Sequence, residues 1–225
     1  MRVLYKGYYF VHDGVFGFLG KLSGLAPLLM RLYLAPVMIA AGMYKLQNLE
    51  STTAWFDTGL GLPYPEVMAL LASYSELIGG FLLLFGLAVR WASVPLMVAM
   101  LVAIFAVHWE NGWFAIAPSQ PATSAAKPVA ALGIPAAKES LNNSVEVGRR
   151  LEMGRSLLKE HGHYDWLTEK GSFVILNNGI EFAATYFIML LSLFFSGGGR
   201  WFSVDYCLDK RGRAALKRKP EPATS

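Results

Sequence analysis

Val67-Met68-Ala69-Leu70-Leu71-Ala72-Ser73-Tyr74-Ser75-Glu76-Leu77-Ile78-Gly79-Gly80-Phe81-Leu82-Leu83-Leu84-Phe85-Gly86-Leu87-Ala88-Val89 is an apolar run with a single charge, Glu76, near its middle. Pro65-Glu66 and Arg90 flank it. At 1.5 Å per residue the run makes a helix of roughly 34 Å, enough to cross a bilayer core. A carboxylate placed there is costly, so it must be paired, protonated or turned towards a polar cavity between helices.

Three more stretches qualify as spans: Ala26–Gln47, Trp91–Trp109 and Phe173–Phe195. The chain is 54% hydrophobic and 16% charged, with a mean hydropathy of +0.39, which suits a membrane protein better than a soluble domain. The expected fold is therefore all-α and polytopic: a four-transmembrane-helix bundle over residues 25–209, with an extracytoplasmic insertion at 110–171. Residues 1–24, with Tyr5, Lys6, Tyr8, Tyr9 and Phe10, read as an interfacial segment rather than a cleavable signal peptide. One cysteine, Cys207, excludes an internal disulfide, a CxxC pair and a thiolate cluster.

The distribution of charge sets the expected topology. Arg2, Lys6 and Lys21 precede the first span, Arg90 forms the turn between the second and third, and seven Lys/Arg residues from Arg200 to Lys219 follow the fourth. The positive-inside rule then places both termini in the cytoplasm. The basic tail, residues 210–225, is expected to be disordered and to touch anionic lipid, with no role in nucleic-acid binding. In the long loop, Ala117 to Ala137 is expected to lack regular structure. Ser140 to His161 reads as an amphipathic helix on Leu141, Val145, Leu151, Leu157 and Leu158, stopped at His161-Gly162.

The ionisable residues inside the spans form the candidate site. Arg31, Ala35, Met38, Gly42 and Lys45 share one stripe of the first span. Glu76 shares its face with Ala72, Ser73, Gly79 and Gly80, whose small side chains allow close helix approach and turn Glu76 into the bundle. Glu181 shares a face with Asn177, Asn178, Ala184 and Thr185. Counting helix rise puts Glu76 about 15 Å and Glu181 about 13 Å below the same membrane face. The expected pocket thus holds Glu76 and Glu181 as proton-exchanging carboxylates, with Lys45 and His108 above them and Arg31 beneath as headgroup ligands. The alternative is that these residues only cement helices. His108, beside Trp109, equally suits an interfacial anchor. No metal or nucleotide motif is evident: HExxH, GxSxG, Walker and Rossmann patterns are missing, and Gly197-Gly198-Gly199-Arg200 follows a span and so reads as a helix terminator.

Four places together resemble the DoxX family of small four-helix membrane proteins. They are Arg31 with Gly42 and Lys45; Ser75-Glu76 through Gly79-Gly80 to Gly86-Leu87 and Arg90; His108; and Gly197-Gly198-Gly199-Arg200 with Ser203 and Asp205. Three stretches are similar to the HvfX-like branch: Ala26 to Pro36, His108 to Trp113, and Asn177 to Tyr186, with an insertion containing His163 to Leu167 before the last. The resemblance implies a membrane component of a quinone-linked oxidation system, acting with a protein partner. For the branch it implies an association with modified copper-binding (RiPP) peptides. The expected activity is thus that of a quinone-linked oxidoreductase subunit with quinone as cofactor. The alternative is a non-enzymatic scaffold or export component for a copper-binding peptide system. Membrane lipid and a protein partner are expected, and a homo-oligomer is compatible with the sequence.

Overall fold

The computed structural model describes residues 2–217. They are helical and contain no strand, apart from an isolated antiparallel bridge between Ile116 and Leu176. Three helices are long and apolar enough to cross a membrane, Gly20–Gln47, Pro65–Phe85 and Val89–Asn111, and a shorter apolar helix covers Glu181–Ser196. The protein is an all-α polytopic membrane protein. Its chain divides into two compact units, Met1–Met100 with Tyr186–Ser225, and Leu101–Thr185.

The first unit begins with α1 (Arg2–Leu19) and a 3-10 turn, then α2 (Leu25–Gln47), α3 (Leu49–Ala54) and α4 (Pro65–Phe85). α4 shows how local sequence sets its bounds. Pro65 occupies the first helical position, where its missing N–H costs nothing. At the other end Gly86 takes a left-handed φ of 64°, with Gly86 N–H donating to the Leu83 carbonyl and Leu87 N–H to that of Leu82. This Schellman pairing stops the helix. The reversal that follows is Gly86-Leu87-Ala88, and α5 (Val89–Val102) starts immediately after it. Arg90, expected to form the turn, instead lies in the first turn of α5 and donates to the Phe195 carbonyl at 3.1 Å.

α2 and α4 pack along each other through glycines. A Cβ at Gly42 would lie 2.6 Å from the Leu77 backbone nitrogen, and one at Gly80 would lie 2.9 Å from that of Ile39. The two helices therefore touch backbone to backbone, as small-residue interfaces in membranes do. Leu34, Met38, Leu83, Leu96, Leu190 and Leu193 fill the core around this contact. α9 (Glu181–Ser196) ends at Gly197, with φ 73°, and Gly199, with φ 72°, as expected of a terminator. The expectation of disorder fails for Lys210 to Lys217, which continue α10 (Val204–Lys217). Asp209 and Arg213, one turn apart, bond at 2.8 Å and support that helix. Residues 218–225, the rest of the expected disordered tail, lie outside the described residues.

The second unit contains the π-helical turn Ala103–His108, α6 (Ala126–Ala131), α7 (Pro135–His161) and α8 (Tyr164–Leu167). Three sequence expectations need correction here. Residues 117–137 are not structureless: Ala126, Ala130 and Ala137 form a small core in which α6 meets α7, with Phe114 and Leu141 packed on it. Alanine favours helix and lets two axes come close, which outweighs the neighbouring prolines. α7 starts at Pro135, five residues earlier than expected, and its buried face is Ala137, Ser144, Val147 and Leu151. Val145 and Leu157, read as apolar positions of an amphipathic helix, are exposed. It does stop at His161-Gly162.

The fourth span is the third correction. Phe173 to Ile180 is not helical, and α9 begins at Glu181. The backbone N–H groups from Asn177 to Glu181 donate to carbonyls between Gly112 and Ala115 instead of to their own chain four residues back. Asn178 is left-handed at φ 58°, which breaks any helix running through it. The hydrophobic run Phe173-Val174-Ile175-Leu176 has no period that separates helix from extended chain.

Candidate functional site: a buried lysine–glutamate pair

Glu76 sits in the twelfth position of α4, about 16 Å from its start, and is 3% exposed. Lys45 lies in the last turn of α2 and reaches across with its Nζ 2.5 Å from both Glu76 carboxylate oxygens. The pair forms because the helices touch where they do. Gly42 is three residues before Lys45, and its contact with Ser73 and Leu77 brackets Glu76 on α4. Burial is unequal: the Lys45 side chain keeps 25% exposure against 4% for Glu76. The carboxylate is therefore enclosed, while the ammonium closes the pair on its accessible side. Thr52 on α3 donates to the Lys45 carbonyl at 3.4 Å and to that of Asn48 at 2.9 Å, tying down the end of α2.

Arg31 has a different place. It is 0% exposed and donates to the carbonyls of Leu83 at 3.1 Å, Leu84 at 3.5 Å, Trp201 at 2.9 Å and Phe202 at 3.2 Å. Lys45 follows it by 14 residues, about 21 Å along α2. Arg31 thus serves the far end of α4, where the last carbonyls lack partners of their own helix. Its Nη1 and Nη2 groups donate to backbone carbonyls, while its buried Nε has no partner.

The glycine-arginine ending meets Arg31 in the same knot. Ser203 donates to the Gly86 carbonyl at 3.1 Å, as does the Asp205 N–H at 2.9 Å. The Asp205 carboxylate accepts from the Ala88 and Val89 N–H groups at 2.7 and 2.9 Å, capping α5. Arg200 donates to the carbonyls of Gly20 and Lys21.

In the second unit Glu181 opens α9 instead of lying nine residues inside it. The depth arithmetic that set it level with Glu76 therefore fails. A carboxylate in a first helical turn is favoured by the exposed N–H groups there. Its Oε2 also accepts from the Ala115 N–H at 2.9 Å. His108 ends the π-helical turn, and its Nδ1 lies 2.8 Å from the Asn178 carbonyl. A carbonyl can only accept, so Nδ1 carries the proton and Nε2 is left as acceptor in the neutral ring. Asn177 donates to the carbonyls of Asn111 and Phe114, and Asn111 to that of Asn178. His108 and Glu181 are thus held by one knot of loop hydrogen bonds.

The site grouping expected from sequence is therefore met for Lys45 with Glu76, and not for Arg31. The connecting roles of Asp205, Asn111 and Asn177 were missed. The pairing of asparagines with glycines at Asn111-Gly112 and Asn178-Gly179 was the available signal, since such dipeptides favour tight backbone turns.

Residues 26–109, which hold Arg31, Lys45, Glu76 and His108, match the family model DoxX. A protein of Bacillus subtilis (strain 168) named "Putative oxidoreductase CatD" is 34% identical over 89 residues, 40% of this chain and 64% of its own. The chain thus spans less than two thirds of the length of that relative. No solved structure matches.

Proposed function

We propose that the protein is a redox subunit of the bacterial inner membrane, with cytoplasmic termini. In this reading it binds a quinone beside Lys45 and Glu76 and receives electrons from a partner enzyme. The observation that carries this reading is a charged pair enclosed within apolar spans, with its cation retaining an accessible side. A quinone carbonyl requires a hydrogen-bond donor, and the Lys45 ammonium has three, of which Glu76 occupies two. When bound, a quinone supplies an acceptor for two electrons and two protons. Lys45 would orient a headgroup carbonyl and pass it a proton from Nζ, and Glu76, which accepts from Nζ, would stabilise the ammonium and, when protonated from outside, return a proton to it. The small residues around them exclude water, which strengthens every charge interaction inside. The name of the Bacillus relative supports an oxidoreductase class.

The test is purification in native-lipid nanodiscs, followed by lipid extraction and thermal melting with added ubiquinone or menaquinone analogues. Quinone should co-purify and raise the melting temperature. Glu76→Gln should fold, yet lose quinone-dependent turnover at least tenfold. Absence of both quinone and any thermal shift would sink the reading.

A second reading, a scaffold for a copper-binding peptide system of the HvfX-like kind, draws on the second unit, which has two small cores of its own. There, replacing Glu110–Gly171 by a short linker should abolish copper tolerance, while Glu76→Gln should be mild.

A further inference from the structure

Within the second unit an open groove of about 500 Å³ runs between one face of α7 and the loop at Ser119-Gln120. Gly148, Leu151, Glu152, Arg155, Ser156 and Lys159 line it from α7. Their spacing of three, one, three, one and three residues is one stripe of a helix. Leu151, 4% exposed, joins Ala117, Val147 and Ile175 in a small core, so the floor of the groove is fixed. Gly148 lets the loop come close: a Cβ there would lie 2.9 Å from the Ser119 carbonyl oxygen.

Arg155 is the unusual member. Its Nε is buried and has no hydrogen-bond partner. A buried donor left without an acceptor costs roughly 1–3 kcal/mol, so native structures seldom leave one without a reason. Arg31 Nε is likewise buried without a partner, but the other nitrogens of that guanidinium donate to four carbonyls, and Arg150 and Arg213 are engaged with Glu146 at 3.3 Å and Asp209 at 2.8 Å. Lys159, one turn on, lines the same groove, with its ammonium held 5.3 Å from the Tyr164 ring centroid. Ser119, Ser156 and Gln120 add neutral donors to the wall.

We propose that this groove binds the oxyanion of a small molecule, a phosphate or a carboxylate. The Arg155 fork supplies the directional bonds, Lys159 the second positive charge, and the hydroxyls of Ser119 and Ser156 the remaining donors. The volume exceeds that of an oxyanion alone and falls in the range of metabolite sites, so the ligand carries a body as well as its charge. Glu152 on the same wall sets its polarity: a ligand bearing an amine or hydroxyl beside its oxyanion fits both ends. The site lies outside the Lys45–Glu76 pair and does not depend on quinone binding.

The experiment is calorimetry on the full chain in nanodiscs of a neutral lipid, titrated with inorganic phosphate and separately with citrate, at constant ionic strength set by chloride. Saturable binding of one anion is expected and identifies the oxyanion class. Arg155→Gln and Lys159→Gln should each weaken it at least tenfold, whereas Arg150→Gln, on an exposed pair of the same helix, should leave it within twofold. Glu152→Gln should tighten binding of the plain anion several-fold by removing a like charge. Gly148→Val forces the Ser119-Gln120 loop away from α7 while keeping both cations, and should also abolish binding. No saturable heat with either anion, equal losses from Arg150→Gln and Arg155→Gln, or full binding by Gly148→Val would each overturn the proposal.

Discussion

Replacing Gly42 by alanine tests whether the backbone contact between α2 and α4 builds the Lys45–Glu76 pair. The added methyl would lie 2.6 Å from Leu77 N, 2.7 Å from Ser73 O and 2.9 Å from Leu77 Cα. Ordinary contact for a carbon begins near 3.4 Å, so the helices must part by about 0.8 Å at that point. The atoms in the way are backbone and cannot swing aside. Overpacking of this kind costs about 1–3 kcal/mol. For a chain of this size that lowers the melting temperature by about 2–12 °C. The same displacement falls one turn from Lys45, so it also lengthens the ion pair. Gly79→Ala is the graded comparison, because there the methyl would meet the movable Leu96 side chain at 3.0–3.1 Å and should cost less. Gly14→Ala in α1, with nothing within 4 Å, should be neutral or slightly stabilising. Melting of the three variants in detergent, followed by tryptophan fluorescence, ranks them. If Gly42→Ala melts with the parent while Gly79→Ala falls, the backbone contact is not where the structure places it.

Arg31→Met should reduce yield and melting temperature, because the Leu83, Trp201 and Phe202 carbonyls lose their donor at roughly 1–3 kcal/mol for each one left buried. Arg31→Lys should recover only part of that, since a single ammonium cannot span the carbonyls reached by a planar fork. Asp205→Ala removes the cap on Ala88 and Val89 and should cost about 0.5–2 kcal/mol by thermal melting. Cys207 is exposed at the start of α10, so a membrane-impermeant maleimide should label it in lysed cells and not in intact ones if the termini are cytoplasmic. Gly179→Ala should disrupt the second unit, because its methyl would lie 2.5 Å from the Phe114 carbonyl oxygen; protease sensitivity within residues 101–185 reports it.

The span around Glu76 was readable because three independent signals agree there. Its length matches a bilayer, its small residues fall on one face with Glu76, and the matching stripe of α2 ends in Lys45. Buried positions on α4 are Ala69, Ser73, Glu76, Gly79, Gly80 and Leu83, the face that helical spacing predicts. The fourth span was misread because hydropathy integrates over a window and is blind to where hydrogen bonds go. Phe173 to Leu176 is as apolar as a helix, yet its successors Asn177 and Asn178 give their N–H groups to Ala115. In α7 the buried face combines small residues, Ala137 and Ser144, with Val147 and Leu151, while Val145 and Leu157 stay exposed. Close packing against α6 rewards small volume, which a hydrophobicity pattern does not record.

The residues that stand out in the sequence separate into two kinds once their partners are known. Arg31, Gly86, Arg90, Arg200, Ser203 and Asp205 bond chiefly to backbone in the first unit, Arg200 also reaching the Ser23 hydroxyl. Each repairs a helix end that would otherwise expose unmet carbonyls or N–H groups to hydrocarbon. Such residues are explained by architecture alone. Lys45 and Glu76 differ: they bond to each other and cap no helix, and buried pairs of this kind often stabilise no more than two apolar side chains of similar volume. The glycine contacts at Gly42 and Gly80 already hold α2 to α4, so the pair adds desolvation cost to an interface that does not require it. An ionisable pair enclosed on one side and accessible on the other suits the proton-handling role proposed above. For that reason Glu76→Gln should separate activity from folding, where Arg31→Met should not.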